Sequence, residues 1–519
     1  MGNAMDAAGA TLVRRRSVLQ AGATTVVAAA LGATACKADG NRAPRLASTA
    51  ATGRPSGADW HALAASLDGD LVRPADSDYD SARRLFNPRF DGIRPAAVVE
   101  AANPHDIAEA IRFARKFDLV ARPRSGGHSY VGVSTAASGI ILDVGRMRGV
   151  DYDAGSKTAV VRAGSRLFDV HEALEAHNRS VPTGTCPTVG AAGLTLGGGV
   201  GVEGRANGLT CDTVQALTLV TAAGTILQVD ANHHPDLFWA HRGGGGGNFG
   251  VMTSMRMRTF AAHRMGFYFV SWSPSQAVSV IRGWQRRVST MPRSAWANVH
   301  LEAASDGSVA IRVFGVSLTG DGGPEAHALI NAVGHQPSRL STFSRSHEDG
   351  IKVLAGCSTR SDQQCHLPPR GNLSREAFAA GSDVLGGPLT TAQASRLVAA
   401  VRLRAGSGGS VAVILDPLGG AVADLSPATT AFRWRHALAT VQWYIGLPEH
   451  PTGSQVRQAY HWINNSGHPA LHGASVGAYV NYLEPGRSVG SYYGRNLGRL
   501  RKVKARYDPS GFFRSRYTV

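Results

Sequence analysis

The chain has 519 residues, of which 43% are hydrophobic, so it is long enough to form two or more domains with large buried cores. Its formal net charge is +17 and its pI is about 10.2. The arginines are scattered, the only dense basic run is VRRR near the start, and no zinc-finger or RNA-binding motif accompanies them. An arginine-rich, solvated surface therefore explains the charge better than a nucleic-acid partner does.

Residues 1–36 are predicted to be a twin-arginine targeting segment. Arg15 and Arg16 precede Ser-Val-Leu, an apolar run covers residues 21–35, and a small-residue cleavage site ends at Ala35. Cys36 follows directly and is either a lipid anchor or the result of ordinary cleavage, and both alternatives stay open. Residues 37–58 are predicted to be a flexible tether. We therefore expect a protein that is exported by the twin-arginine route and is secreted or attached to the cell envelope.

From about residue 86 the pattern alternates between helix and strand. DIAEAIRFARKF has apolar residues at helical spacing and Asp106 as a candidate N-cap, so it predicts an amphipathic helix. LFDVHEALEAH predicts a second helix. Strands are predicted at LVARP, GIILDV, TAVVRAG, ALTLV and TILQVD, the last two joined as a hairpin.

After about residue 262 a second set of elements begins. Strands are predicted at GFYFVSW, VAIRVFGVSL and SVAVILD, and helices at AVSVIRGWQRRV and PEAHALINAVG. The order predicts an α+β protein with one domain over residues 59–261, a second over 262–475, and a C-terminal segment over 476–519.

Glycine is concentrated in three short segments. They are RPRSGGHSYVG (122–132), GTCPTVGAAGLTLGGGVG (184–201) and HRGGGGGNFG (241–250). Glycine turns let backbone N–H groups approach an anion closely, so three of them predict a long ligand with a pyrophosphate. A GxGxxG match at 199–204 lacks the strand and long helix of a nicotinamide-binding fold, and we do not favour that alternative.

These segments and four others resemble the FAD-linked oxidases of the berberine bridge enzyme type. The other matching motifs are NGLTCD (207–212), DLFWAHRGGGGGNFGVMTS (236–254), DPLGGAV (416–422) and YVNY (479–482), followed by YYGRNLGRLRKVKARYDPSGFFR (492–514). The resemblance implies a two-part FAD-binding domain of the p-cresol methylhydroxylase and vanillyl-alcohol oxidase type. It also implies a substrate domain with an antiparallel sheet backed by helices, and a C-terminal segment that returns to the FAD domain.

In this family the histidine and the cysteine of the first two glycine turns carry the flavin covalently. Those positions are His128 and Cys186, and the resemblance implies bicovalent FAD. A zinc site is not favoured, because no second histidine or cysteine stands at ligand spacing from His128. The other residues implied in FAD binding are Arg124, Ser125, Gly126, Gly127, Ser129, Val189, Gly190, Gly193, Gly197, Gly198, Gly199, Gly250, Val251 and Asn481.

Oxidation of a carbinol carbon needs a base for the hydroxyl proton. Strand alternation in AYVNYLEP predicts Tyr479 and Asn481 on one face and Tyr482 on the other. By resemblance the first tyrosine faces the flavin, so Tyr479 is the predicted base, with Asp416 and Gln442 beside it. Tyr482 and Asp416 stay open as alternatives.

The predicted activity is oxidation of an alcohol or hemiacetal carbon of a carbohydrate or glycosylated metabolite, with dioxygen as acceptor and hydrogen peroxide as product. A same-fold dehydrogenase or an oxidative cyclase is the alternative among enzymes. A solute-binding lipoprotein would leave His128 and Cys186 unexplained. In an oxidising compartment Cys357 and Cys365 are expected to form a disulfide, and Cys211 is expected in the core. Gly381 departs from the family pattern, where lysine is common.

Overall fold

The computed structural model describes residues 53–519, so the predicted targeting segment, Cys36 and most of the tether lie outside it. The first helix, α1 (Gly57–Ala65), begins inside the predicted tether, and Ser56 caps it by accepting from the Asp59 N–H. The helix therefore covers the last two residues of the predicted tether, Gly57 and Ala58. Within residues 53–519 no helix is both long enough and apolar enough to span a membrane.

Two sheets form the first part of the molecule. One has the order β1-β2-β4-β3, in which β2, β4 and β3 are parallel, and the other is the antiparallel sheet β5-β6-β10-β8-β9. A short pair, β7 and β11, completes this part. The strands are β1 (Asp70–Val72), β2 (Ala97–Glu100), β3 (Ala121–Arg124), β4 (Ile140–Asp143), β5 (Val150–Asp153), β6 (Thr158–Arg162), β7 (Arg179–Ser180), β8 (Val214–Thr221), β9 (Ile226–Asp230), β10 (Gly250–Arg258) and β11 (Phe260–Ala261).

The helices of this part differ in what they contact: Pro104–Lys116 lies against strands of both sheets, whereas Gly204–Asn207 lies against the second part of the molecule. They are α2 (Tyr79–Ala82), α3 (Pro104–Lys116), α4 (Leu167–Glu175), α5 (Ala191–Leu196), α6 (Gly204–Asn207) and α7 (Pro235–Ala240). The prediction of Asp106 as N-cap is wrong. Asn103 caps α3, while the buried Asp106 carboxylate accepts from the backbone of Asp68, Gly69 and Ala102.

An eight-stranded antiparallel sheet forms the second part, in the order β15-β12-β14-β13-β17-β18-β16-β19. Its strands are β12 (Met265–Trp272), β13 (Ala295–Ala303), β14 (Val309–Ser317), β15 (Arg339–Arg345), β16 (Phe378–Leu385), β17 (Val411–Pro417), β18 (Ala439–Gly446) and β19 (Ser475–Gly477). The helices of this part are α8 (Ala277–Thr290), α9 (Gly323–Val333), α10 (His347–Leu354), α11 (Thr391–Gly406), α12 (Gly453–Trp462) and α13 (His468–Ala470). Trp284, Leu329 and Leu397 bury α8, α9 and α11 against one face of the sheet, which leaves the other face toward the first part.

Buried polar contacts join the two parts. The Arg205 guanidinium on α6 donates to the carbonyls of Ala295, Met291 and Leu418 in the second part. After β19 the chain returns to the first part through α14 (Gly490–Tyr493) and α15 (Leu497–Tyr507). There the Tyr493 hydroxyl donates to the Gly244 carbonyl at 2.8 Å. The strand predicted over residues 479–482 is wrong, because Val480–Tyr482 form a 3₁₀ turn.

Candidate active site

All three glycine-rich segments border one cavity of about 770 Å³. It extends from the first part of the molecule to the open face of the eight-stranded sheet. The predicted site residues on its wall are Arg124, Ser125, Gly126, Gly127, His128, Ser129, Cys186, Val189, Gly190, Gly193, Gly250, Val251, Asn481, Tyr482 and Gln442. The cavity is large enough for an extended ligand, and one end of it is lined by glycine backbone, as a pyrophosphate requires.

The first two glycine turns touch each other through their backbones. A Cβ added to Gly126 would lie 2.2 Å from the Gly190 nitrogen, and one added to Gly190 would lie 2.3 Å from the Gly126 nitrogen. Gly127 has a φ of +67°, in the left-handed region. Side chains are therefore excluded here, and backbone groups of both turns line the cavity.

His128 and Cys186 lie on either side of Thr188. The Thr188 Oγ1 atom is 3.0 Å from His128 Nε2 and 3.6 Å from Cys186 Sγ. The His128 ring stacks on Phe86 with the ring centroids 3.8 Å apart. Burial, helped by the Arg166 guanidinium, lowers the pKa of His128 to about 3, so the imidazole is neutral. The Cys186 thiol is accessible from the cavity, and desolvation by the surrounding protein raises its pKa although hydrogen bonds from Thr188 oppose the shift.

Three further side chains line the cavity near these two residues. The rings of Tyr130 and Tyr482 stack with their centroids 5.1 Å apart, and the Gln442 side-chain amide donates to the Tyr130 hydroxyl. Burial raises the pKa of both phenols well above the usual value, so both are neutral at physiological pH. This wall offers hydroxyl and amide groups on aromatic faces, which suits a polyhydroxylated ligand.

Tyr479 is placed differently from the prediction. Its buried hydroxyl accepts from the N–H groups of Gly199 (3.0 Å) and Val200 (3.2 Å) and from the Asn481 amide (2.8 Å), and it does not line the cavity. Burial raises the pKa of Tyr479 to about 12 although all three donors oppose the shift. The prediction from strand alternation fails because Val480–Tyr482 form a 3₁₀ turn, which directs Tyr482, and not Tyr479, into the cavity.

The remaining predicted residues stand behind the wall. Gly197, Gly198 and Gly199 contact protein side chains: a Cβ on Gly197 would lie 1.9 Å from Asn481 Oδ1, for example. These glycines make room for Asn481, Phe432 and Thr210. Asp416 follows the wall residue Ile414 on the same face of β17, and it accepts from the Asn298 amide at 3.0 Å. Burial raises the pKa of Asp416.

Several wall residues were not predicted. Glu302 accepts from Arg312 at 2.6 Å and lies 3.4 Å from His300 Nδ1, and Glu376 accepts at 2.9 Å from Tyr444, which sequence indicates only as a sugar-stacking group of a solute-binding protein. His300 and Glu302 alternate with buried apolar residues in β13, so a polar face within AWANVHLEA was the signal that could have revealed them. Tyr130 directly follows the HS pair of the first glycine turn and carried no separate signal.

A loop closed by a disulfide completes the wall. Cys357 and Cys365 are joined, as expected; the loop between them contributes Arg360 to the cavity, and the flanking residues contribute Gly356, Leu373 and Ser374. Just beyond it, Arg375 pairs with Asp91 of the first part through two contacts of 2.9 and 2.5 Å. Cys211 is fully buried, also as expected.

The fold and the site together define an FAD-linked oxidoreductase. Residues 95–230 match the family model described as an FAD binding domain, and residues 478–519 match the one described as berberine and berberine like. The chain is 28% identical over 468 residues to an uncharacterised FAD-linked oxidoreductase, YgaK, of Bacillus subtilis, covering 87% of this chain and 97% of that protein.

Two further relatives agree with this class. A xylooligosaccharide oxidase of Thermothelomyces thermophilus is 28% identical, with 82% of this chain and 87% of that protein covered. The structure of Physcomitrella patens BBE-like 1 superimposes with a TM-score of 0.80 at 25% identity, over 88% of this chain and 97% of the other. The chain therefore carries an FAD-binding domain and a berberine-like C-terminal domain, and over most of its length it is similar to FAD-linked oxidoreductases of the berberine bridge enzyme-like type.

Proposed function

We propose that this protein oxidises an alcohol or hemiacetal carbon of a carbohydrate or a glycosylated metabolite, with dioxygen as acceptor and hydrogen peroxide as product. The observation that carries the proposal is the single cavity that connects the glycine turns with the wall of Tyr130, Tyr482 and Gln442. The similarity to a xylooligosaccharide oxidase supports the substrate class. Val189 on the wall, small and apolar, is compatible with access of dioxygen.

FAD fits the residues that are present. The touching glycine turns would hold its pyrophosphate, and His128 and Cys186 would hold its ring covalently through Nδ1 or Nε2 and Sγ. The neutral imidazole and the accessible thiol, each beside Thr188, have the nucleophilic atoms that such bonds need. Two attachments would keep the ring in place in a cavity wide enough for a large substrate.

The proton acceptor that we propose is Tyr482 in place of Tyr479. Bound FAD supplies the acceptor for the hydride that leaves the carbinol carbon. The protein must take the hydroxyl proton at the same time, and the Tyr482 hydroxyl lines the cavity, whereas that of Tyr479 is enclosed by three N–H donors. A neutral phenol accepts this proton only if it passes its own to a neighbour. Asp416, whose charge acts on Tyr482, is that neighbour, and Gln442 holds the substrate beside Tyr130.

The length of the wall favours a substrate of more than one ring. Gln442, Ile414, His300 and Arg312 are cross-strand neighbours on β18, β17, β13 and β14. At about 4.8 Å between strands, Arg312 stands about 14 Å from Gln442. A single sugar ring at Gln442 does not reach the Arg312–Glu302 pair, and a chain of several rings does.

A covalency assay and a sugar screen test the proposal. The expected result is yellow protein that keeps its flavin after acid precipitation, with peroxide released from an oligosaccharide among glucose, xylose, cellobiose, cellotriose and xylotriose. His128→Ala and Cys186→Ala should each retain flavin through the other residue, and the double variant should release it. Flavin extractable from the wild type would refute covalency. Flavin reduced by these sugars without peroxide release would favour a dehydrogenase.

Export by the twin-arginine route is part of the proposal and rests on residues 1–36 alone. Replacing Arg15 and Arg16 by lysine should retain the protein in the cytoplasm, and unchanged export would refute this route.

A further inference from the structure

Four charged side chains meet beneath the turn that carries Tyr482. We call them the four-charge network: Asp383 on β16, His468 on α13, and Glu484 and Arg487 after the turn. His468 lies between the two carboxylates, with Nδ1 2.6 Å from Asp383 and Nε2 2.9 Å from Glu484. Arg487 also bridges them, at 2.9 Å from each. Ser475 and Trp443 donate further hydrogen bonds to Asp383.

Both carboxylates of the network are almost completely enclosed. The Asp383 and Glu484 side chains are 2% and 1% exposed. Burial lowers the pKa of His468, but the hydrogen bonds and charges of Asp383 and Glu484 outweigh it and raise that pKa to about 9. With His468 protonated, two cations balance two anions. Removal of one charge leaves the others uncompensated, which is costly at buried positions.

The network occupies space that a glycine provides. A Cβ added to Gly381 on β16 would lie 2.0 Å from Glu484 Oε2. Gly381, at the position where the family pattern has lysine, therefore leaves room for the Glu484 carboxylate. Neither a lysine nor an alanine at this position is compatible with Glu484 in its present place.

Hydrogen bonds connect the network to the backbone of Tyr482. Arg487 donates to the Ser382 carbonyl at 2.7 Å, and the Ser382 hydroxyl lies 3.4 Å from the carbonyls of both Tyr479 and Tyr482. The Tyr479 N–H in turn donates to Ser382 Oγ at 3.0 Å. Glu484 is two residues beyond Tyr482, so its anchoring fixes the exit of the turn while Ser382 fixes its entry.

We propose that the four-charge network is a positioning device that holds the Tyr482 ring against Tyr130 at the cavity wall. The effect of the network on catalysis rests on the proposed function of Tyr482 as proton acceptor. The position of the ring is a separate property and can be measured without a substrate. His468 is the titratable cation of the network, and the charged groups in contact with it are Asp383, Glu484 and Arg487, with the Trp443 ring at its edge.

The first experiment measures the ring directly by fluorine NMR. The protein, with its flavin, is labelled with 3-fluorotyrosine at its 12 tyrosines, and Tyr482→Phe assigns the Tyr482 resonance. Glu484→Gln should shift or broaden this resonance, because the stacking on Tyr130 is lost. The matched control is Glu203→Gln, which removes another buried carboxylate beside a histidine, His347, away from Tyr482. It should leave the resonance unchanged.

A second variant protects the test against misfolding. Gly381→Ala displaces the Glu484 carboxylate without removing its charge, and Gly387→Ala is its control because a Cβ there meets nothing within 4 Å. Gly381→Ala should shift the same resonance, and the Gly381→Ala/Glu484→Gln variant should differ little from either single variant. In the wild type the resonance should also change as the pH rises through about 9 and His468 loses its proton.

Catalysis supplies the last readout. Glu484→Gln should slow flavin reduction by an active oligosaccharide about tenfold with KM little changed. The alkaline limb of the pH dependence of its reduction rate should move to lower pH, because loss of one carboxylate lowers the pKa of His468. A Tyr482 resonance that is unchanged in folded Glu484→Gln and Gly381→Ala proteins would overturn the proposal. If the resonance moves but no sugar reduces the flavin, the network is confirmed as a positioning device and the proposed function fails instead.

Discussion

Two conservative substitutions, Tyr479→Phe and Tyr482→Phe, should have opposite effects. In Tyr479→Phe the buried N–H groups of Gly199 and Val200 lose their acceptor, while Asn481 can still donate to the Leu194 carbonyl at 2.9 Å. A buried donor without a partner costs about 1–3 kcal/mol, so the two together should lower the free energy of unfolding by about 2–6 kcal/mol. The rate of flavin reduction should stay within a few-fold of the wild type.

Tyr482→Phe should leave stability nearly unchanged, because its hydroxyl lines the cavity. It should slow flavin reduction by about 10²-fold or more, since the proton acceptor is removed. Denaturant unfolding measures the first quantity, and anaerobic stopped-flow reduction by an active sugar measures the second. A stable Tyr479→Phe protein whose flavin is reduced 10²-fold more slowly would refute our placement of the base and restore Tyr479.

Three other predictions follow from single features. Gly190→Ala should lose most of its bound flavin, measured as the flavin-to-protein absorbance ratio, whereas Gly498→Ala, with nothing within 4 Å of the added Cβ, should keep it; equal ratios would contradict the contact between the glycine turns. Burial lowers the pKa of His347, but Glu175 and Glu203 raise it to about 9, so the stabilisation that His347→Gln removes should be complete below pH about 6.5 and vanish as pH rises through 9. A pH-independent stability difference would contradict this. Because both residues are buried, alkylation of the protein unfolded without reductant should leave Cys357 and Cys365 unmodified, and labelling of both would show that the disulfide is absent.

The glycine turns could be predicted from sequence because each is a local feature. A run of glycines beside His128 or Cys186 indicates backbone exposed to a ligand whatever surrounds it, and the structure places both turns on the cavity wall. Helices and strands with clear periodicity, such as α4 and the β8–β9 hairpin, were predicted correctly for the same reason.

Elements that depend on distant contacts were not predictable. β16 has all eight residues buried, so FAAGSDVL shows no alternation that would indicate a strand. The orientation of Tyr479 and Tyr482 depends on Ser382 and Glu484, because these residues hold a 3₁₀ turn where local sequence favours a strand. Asp106 has a side chain suited to capping, but Asn103 occupies the N-cap of α3. The Asp106 carboxylate instead accepts from the backbone of Asp68 in a neighbouring loop.

With the loop from Gly356 to Ser374, the cavity wall consists of two kinds of surface. One is built on strands that belong to the fold, and the other is a segment held near one end by the burial of the joined Cys357 and Cys365 side chains and at the other end by the pairing of Arg375 with Asp91. A segment with both ends fixed in this way can change in length and sequence without moving the sheet or the glycine turns. Exchange of this loop between relatives is therefore a route to altered substrate preference that leaves flavin attachment intact.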